Sequence, residues 1–344
     1  MAYKTVLDDF KKCISRVKPD KIPAFACSEE FDVRMSGNLY CDYNSDSKIM
    51  AQTQIDAVKR FDYDWAWLQV DDCIEFEVLG VGVKGKGNIL PATCDYRPAN
   101  WDTLSSLKLP KFKKDGRMPV LLDAIKRVKD ALGESVVVVG RIPAPFSAVT
   151  LLYGMSESLI MLYDDPELFK ATEKFCEELV CGFAIAQIEA GADALWVGDC
   201  NASGHLISLD FYKEFAFSGA KAAADAIRDA GGYSIYHASE HDPEYIKNMI
   251  LTGVDVVSAG PGIEISKAKA VCDLLDKGCI CGNVDPIGTL LYGTRAQVRA
   301  ETKRILDAGA RSPGYIANSG EMIPRDVPEE NIRAMIETIK EYKI

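Results

Sequence analysis

The sequence predicts an α/β chain built as a (β/α)8 barrel, with a helical extension at its amino end and a long insertion after the second strand. Three observations predict it. Short apolar, β-rich runs recur along the chain, and each is followed by a stretch of helical periodicity. That alternation is the pattern of parallel βαβ units. The runs number eight, the strand count of a closed barrel. Polar residues also gather where each run stops, at the strand end where such barrels carry their chemistry. An open doubly wound sheet is the structural alternative. It carries fewer strands and a glycine-rich phosphate loop after the first. The GKG within Lys84 to Asn88 has neither that pattern nor a strand–helix setting.

In chain order, Met1 to Lys18 reads as an amphipathic helix, because Val6, Phe10, Cys13, Ile14 and Val17 recur at helical spacing. Ile22 to Cys27 is the first expected strand, ending at Ser28, Glu29 and Glu30, and a polar loop follows over 36–47. Lys48 to Arg60 is helical, and Asp64 to Val70 is the second strand, ending at Asp71, Asp72 and Cys73. Residues 76–118 are irregular, broken by Gly85, Gly87, Pro91, Pro98 and Pro110, and form the insertion, which is expected to cover the barrel mouth. Arg117 to Leu132 is helical, and Ser135 to Gly140 is the third strand, ending at Arg141. Pro143 to Met155 enters a helix, and Asp165 to Ala190 is a long helix with Pro166 near its start. The last five strands are ADALWVGD (192–199), GYSIYHASE (232–240), VDVVSAGP (254–261), CICGNVD (279–285) and GYIANSGE (314–321). Pro286 to Ala308 is the helical stretch between the last two.

The 344 residues contain no Pro/Gly/Ser-rich linker, so 1–344 is read as one domain. A net charge of −11 and the lack of a basic stripe argue against nucleic acid. No apolar run approaches the ~20 residues needed to cross a bilayer, so no membrane partner is expected. Eleven scattered cysteines and a polar amino end without an apolar signal core point to free thiols in a reducing cytoplasm.

The later strand ends display Asp199, His237, Glu240, Asn283 and Glu321 in order. Histidine is scarce: only His205, His237 and His241 occur. His237 closes the fifth strand amid polar residues that a core would not leave unpaired. His241 and Asp242 are read as opening the next helix, with Asp242-Pro243 as its cap. Asp199 follows an apolar run and is expected to be half buried, either functional or bonding the turn that follows. Glu321 tops the eighth strand. Cys279 and Cys281, two apart on a strand, share a face and are read as packing residues. Cys200, beside Asp199, is a candidate ligand.

Across nearly its whole length the chain resembles the uroporphyrinogen decarboxylase superfamily and, within it, the cobamide-dependent methyltransferases. The residues that carry the resemblance are GADALWVGDCNASGHLISLDFYKEF, the strand ending YHASE, TGVDVVSAG, CGNVDP, LYGTRAQVRAETKRILDAG and NSGEMIPRDVPEENIRAMIETIKEY. DDCIEFEVLGVGV and the VVVVG–PFS stretch agree more loosely. The family fold is a (β/α)8 barrel. True porphyrinogen decarboxylases carry an Arg-rich motif of the type RQAGRY. Here the region reads FACSEEFDVRMSGNLY, whose Glu29, Glu30 and Asp32 are expected to repel a polycarboxylate.

Methyltransferases of the superfamily bind zinc through a His-x-Cys pair on strand five and a Cys after strand eight. His237 matches the histidine, but Ser239 and Glu321 stand where the thiolates are expected. The resemblance therefore implies a harder zinc site on His237, Glu321 and a neighbour, Glu240 first, with Cys200 and Asp199 as alternatives. A zinc ion with fewer thiolates is a stronger Lewis acid toward oxygen. The implied activity is that of the first methyltransferase of an O-demethylase system, moving a methyl group from a small methoxylated substrate, an aryl methyl ether, to Co(I) of a separate corrinoid protein. The chain has no Asp-x-His-x-x-Gly segment, so the corrinoid is expected on a partner. His237, Asp199 and Glu321 are the expected catalytic residues. Phe146, Tyr236, Asn283 and Glu240, with Tyr153, are expected to bind substrate, although Tyr236 precedes His237 and so can face the outer helices instead. The alternatives are transfer from methylcobamide to a thiol, a decarboxylase-like reaction, and a metal-free scaffold for the corrinoid protein.

Overall fold

The computed structural model describes residues 5–344. Nine strands occur in the described residues: β1 (Trp65–Trp67), β2 (Gly82–Lys84), β3 (Ala92–Cys94), β4 (Val137–Pro143), β5 (Ala194–Gly198), β6 (Tyr233–His237), β7 (Val256–Ser258), β8 (Cys279–Cys281) and β9 (Tyr315–Ile316). β1, β4, β5, β6, β7, β8 and β9 form one parallel sheet in that order, and β2 and β3 form a separate antiparallel hairpin. Helices lie between successive strands of the large sheet, as parallel crossovers require. Both faces of that sheet are covered. Val136, Val137, Val138 and Val139 are all fully buried. A β-branched run of this kind is stable in a strand packed on two sides.

The expected first strand is reduced to a single bridge, Ala24 with Ala317. Phe25 N–H donates to the Ala317 carbonyl (2.9 Å) and Ala317 N–H to the Pro23 carbonyl (3.1 Å). On its other side, Asp64 N–H donates to the Ala24 carbonyl (2.9 Å). The Ala24 N–H goes to the Asp64 carboxylate (2.8 Å) rather than to a backbone carbonyl. This segment is therefore hydrogen-bonded to residues at both edges of the sheet. Pro23 lacks an N–H, which keeps the ladder short.

Several boundaries follow from local chemistry. The helix Pro166–Ala190 starts where Asp165 accepts from Leu168 N–H and stops at Gly191, whose φ of 116° suits glycine. The helix Pro243–Leu251 is capped by Asp242, as the sequence suggested. The expected continuous helix over 286–308 is instead two pieces: a π-helical turn, Pro286–Leu291, and the helix Arg295–Gly309. Thr294 and Gln297 make a reciprocal capping box that starts the second piece afresh. The helix Val6–Ile14 forms the amino-terminal extension, and the first four residues of the expected helix lie outside the described residues. Glu29–Ser36 is a helix that the sequence reading placed at a strand end and its loop. No single helix in the described residues is long and apolar enough to cross a membrane. One bent pair, Pro145–Tyr153 with Met155–Asp164, passes by length and composition only.

The insertion holds the β2–β3 hairpin and the helix Trp101–Ser106. At its end, Arg117 donates to both oxygens of Asp71 (2.6 and 2.8 Å) and to Glu77 (3.0 Å). Burial works upward on the Asp71 carboxyl, but Arg117 outweighs it and holds the group below its usual range.

Asp32, expected to repel a polycarboxylate, is buried. It accepts from Ser28 Oγ (2.7 Å) and Tyr63 OH (3.3 Å). Burial pushes its carboxyl up to about 8 despite those bonds. The folded chain thus holds a proton at neutral pH that the unfolded chain has lost. Between the unfolded pKa of about 4 and the folded value, stability falls as pH rises, by about 1.4 kcal/mol per pH unit, and levels off above it. Asp32→Asn removes this contribution. Urea unfolding of the variant and the parent at several pH values should give a shallower decline for the variant. Parallel declines would place the titration elsewhere.

Candidate functional site

Side chains alternate across each strand, so the register of the sheet decides which residues meet inside it. His237 of β6 lies beside Gly198 of β5 and Ser258 of β7. Ser258 in turn lies beside Cys281 of β8. Further along, Arg141 of β4 is beside Trp196 of β5. Trp67 of β1 pairs with Val139, two residues before Arg141 and on the same face. The inner face near the carboxyl ends is thus Trp67, Arg141, Trp196 and His237. The Trp67 and Trp196 rings are 5.3 Å apart, and Trp196 lies 4.8 Å from the His237 ring.

At the end of β6, His237 Nδ1 meets Ser258 Oγ (3.1 Å) and Nε2 meets Glu321 Oε1 (2.8 Å). Ser239 Oγ donates to the same Glu321 oxygen and lies 3.3 Å from Cys200 Sγ. The ligand atoms of Cys200, His237 and Glu321 all lie within 4.8 Å of one another. Burial pulls the His237 imidazole down, but the charges of Cys200 and Glu321 outweigh it and raise the group to about 10. Glu321 responds in the opposite sense. Burial pushes it up, yet His237, with help from Ser239 and the Met322 N–H, brings it down to about 2. Cys200 and Glu321 thus converge on one imidazole, an arrangement that favours a positive charge among them. One nitrogen, one oxygen and one sulfur at this spacing fit a zinc ion with an open position for substrate.

The cluster lines a cavity of about 140 Å3, together with Trp67, Gln69, Arg141, Trp196 and Asn201 among others. Arg141 is 1% exposed and donates to both oxygens of Glu75 (2.5 and 2.7 Å) and to Asp72. Its backbone N–H and carbonyl are both tied to the Gln187 amide (2.9 and 2.8 Å). No residue of the insertion, 76–118, lines this cavity.

Of the expected residues, His237 and Glu321 meet, and Cys200 joins them. The others go elsewhere. Glu240, expected as a ligand, lies outside the cluster: its carboxylate accepts from the backbone N–H groups of Gly204 (2.8 Å), His241 (2.7 Å) and Asp242 (2.9 Å). Asp199 is fully buried rather than half buried. It accepts from Ser147 Oγ (2.6 Å), Ser147 N–H (3.2 Å) and Tyr236 OH, with no side-chain contact to His237. Burial pushes Asp199 up to about 6. Tyr236 lies on the outward face of β6, where its hydroxyl reaches Asp199 and approaches Tyr212 (3.4 Å). Asn283 donates to the Gly260 and Ile263 carbonyls (both 2.8 Å) and so ties a loop. Phe146 packs on Phe169, with centroids 5.2 Å apart, and Tyr153 reaches Thr172. None of these lines the cavity.

Trp67, Gln69, Arg141 and Trp196 were not singled out by the sequence as site residues. The parity of the strands carries the signal that finds them: with His237 facing inward, its neighbour Gly198 fixes Trp196 inward as well. The acids meant to repel a porphyrinogen also sit differently. Glu29 accepts from Tyr40 OH out of solvent, and burial holds its carboxyl well above the usual range.

The uroporphyrinogen decarboxylase family model matches residues 5–342. The chain belongs to that family. Within it, the chain is 26% identical to the methylcobamide:CoM methyltransferase MtbA of Methanosarcina acetivorans, over the whole of both chains. It is 29% identical to a uroporphyrinogen decarboxylase of Anaeromyxobacter dehalogenans, over 86% of this chain and 85% of the other. A solved methyltransferase from Methanosarcina mazei superimposes with a TM-score of 0.88 at 21% identity, covering 98% of each chain. The whole-length similarity is to the cobamide-dependent methyltransferase branch of the family.

Proposed function

We propose that this chain is a corrinoid-dependent methyltransferase that takes a methyl group from a small methoxylated ring compound and passes it to the cobalt of a separate corrinoid protein. The observation that carries this reading is the Cys200–His237–Glu321 cluster opening onto a cavity of about 140 Å3. A void of that size accepts one six-membered ring, since about 150 Å3 is enough for benzene. It is far too small for a tetrapyrrole. Porphyrinogen decarboxylation is therefore set aside on volume, not on the buried acids. The corrinoid must likewise approach from outside, on a partner. In this reading the chain is one domain and its sheet is a (β/α)8 barrel, with the Pro23–Cys27 segment taking the eighth position between β9 and β1.

His237, Glu321 and Cys200 would hold a zinc ion, which when bound acts as a Lewis acid toward an ether oxygen. Ser258 fixes the ring of His237 through Nδ1, leaving Nε2 directed at the cluster. Ser239, bonded to Glu321, keeps that carboxylate turned toward His237. Trp67 and Trp196 exclude water and offer flat faces to a ring. Glu240 and Asn283 act on the loops that carry the site, not on substrate.

Methylation of a thiol from methylcobamide is the second reading. The sulfur of Cys200 favours it, because the donor set is less purely nitrogen and oxygen than positions 239 and 321 suggested. One anaerobic assay separates the two. The reduced corrinoid protein with a methoxyphenol should give methylated cobalt and the demethylated phenol. Methylated corrinoid with a thiol should give little thioether. The reverse pattern would replace the first reading by the second.

A further inference from the structure

The helix Met155–Asp164 turns an apolar stripe to solvent. Its buried side is Ser158, Met161 and Leu162, and its exposed side is Ser156, Glu157, Ile160, Tyr163 and Asp164. Residues three and four apart share a helix face, and the outer face of a surface helix is ordinarily polar. Here it holds Ile160, 51% exposed, and Tyr163, 73% exposed. The stripe continues on both sides. The Tyr163 ring packs edge-on against Phe211, with centroids 4.9 Å apart. The Trp101 indole, 51% exposed, donates to Asp165, two residues beyond Tyr163 (3.3 Å). Three separate segments thus build one aromatic patch, and a patch of this kind marks a contact surface. It adjoins the cavity. The helix Pro145–Tyr153, which supplies Ser147 and Leu151 to the cavity wall, leads into Met155–Asp164 across a bend of 111°. Phe211 follows the loop that carries Cys200 and Asn201, which line the same cavity. Acids surround the patch: Glu157 and Asp164 on the helix, Asp102 beside Trp101 and Asp210 beside Phe211 are all exposed. Neither Trp101–Ser106 nor Met155–Asp164 contains a basic residue.

Resting on the separate corrinoid partner of the reading above, we infer that Trp101, Ile160, Tyr163 and Phe211 are the surface on which the corrinoid protein docks. Methyl transfer needs the cobalt brought to the cavity by a second protein, which must press on the residues beside the cavity mouth. An apolar centre ringed by acids fits a partner face with an apolar centre and lysines or arginines around it. A second copy of this chain, meeting the patch through the same patch, would set these acids against themselves. An anionic membrane surface would be repelled in the same way.

Isothermal titration of the full chain with the corrinoid protein of the same organism, with no methyl donor present, tests the surface. Replacing Ile160→Ser and Tyr163→Ser together should weaken binding about tenfold or more. Tyr163→Glu, which adds an acid where a basic partner sits, should weaken it less than Tyr163→Lys does. Leu274→Ser removes an 83% exposed side chain from the helix Ile265–Leu275 and should leave binding unchanged. Raising the salt from about 0.05 to about 0.5 M should weaken binding by the parent chain. Zinc content should stay within about twofold of the parent in every variant. Unchanged binding by the double variant, an equal loss in Leu274→Ser, or parent binding indifferent to salt would overturn the surface. So would a dimer of the parent, or its binding to phosphatidylcholine–phosphatidylglycerol vesicles, that the double variant abolishes, since either gives the patch another occupant. The salt series on the parent decides the charge argument even where a variant fails to fold. Binding that follows this pattern without demethylation of any ether supports the surface and overturns only the choice of substrate. Absence of binding by the parent overturns both the partner and the surface.

Discussion

Replacing His237 by alanine is expected to lower methyl transfer by about a hundredfold or more while the chain stays folded. His237 is the hub of the cluster. It meets Glu321 through Nε2 and Ser258 through Nδ1, and it packs 4.8 Å from Trp196. The other histidines, His205 and His241, stack on each other with ring centroids 4.4 Å apart and line no part of the cavity, so neither can substitute. The alanine leaves Cys200 and Glu321 facing each other with no imidazole between them. Circular dichroism and a thermal melt establish that the variant is folded, and the corrinoid methylation rate measures the loss. Activity within a few-fold of the parent would remove His237 from the site chemistry.

The second large effect is at Glu321. Glu321→Cys should keep a bound metal but lose demethylation of a methyl ether by about tenfold or more, because two thiolates leave the ion a weaker acid toward oxygen. Glu321→Ala should lower metal occupancy itself. The structure sharpens this contrast, since Cys200 already supplies one sulfur within 4.8 Å of the other two ligand atoms. Metal analysis and ether demethylation on both variants check it. An alanine variant that binds as much zinc and demethylates as fast as the parent would make Glu321 a bystander.

The way these residues come together explains what the sequence could and could not reveal. His237 and Glu321 were legible because each ends an apolar run, and parallel strands bring such ends to one side. Cys200 was visible only as the neighbour of Asp199, and the side chain facing the site is reversed between them. Asp199 turns outward to Ser147 and Tyr236, whereas Cys200 reaches the cluster from the turn after β5. A shift of one residue moves a side chain to the other face, so strand ends name a neighbourhood and not a residue. Glu240 misled for another reason. Its three backbone donors come from the loop at Gly204 and from its own turn, and no spacing rule anticipates that loop. Trp67 and Trp196 carried no sequence signal of their own, because aromatic residues in apolar strands are generally core. Arg141 was noted as a strand end, but its burial against Glu75 depends on how the chain after β1 folds back. The first strand was expected at full length, and Pro23 limits it to one bridge.

The central claim is that Cys200, His237 and Glu321 form one metal-holding centre at which methyl transfer takes place. Zinc stoichiometry of the protein, purified anaerobically without chelator, tests it most directly. The account predicts about one zinc per chain, lost in His237→Ala and reduced in Glu321→Ala. A chain that binds no metal under these conditions, and still methylates the corrinoid protein at full rate, would contradict it.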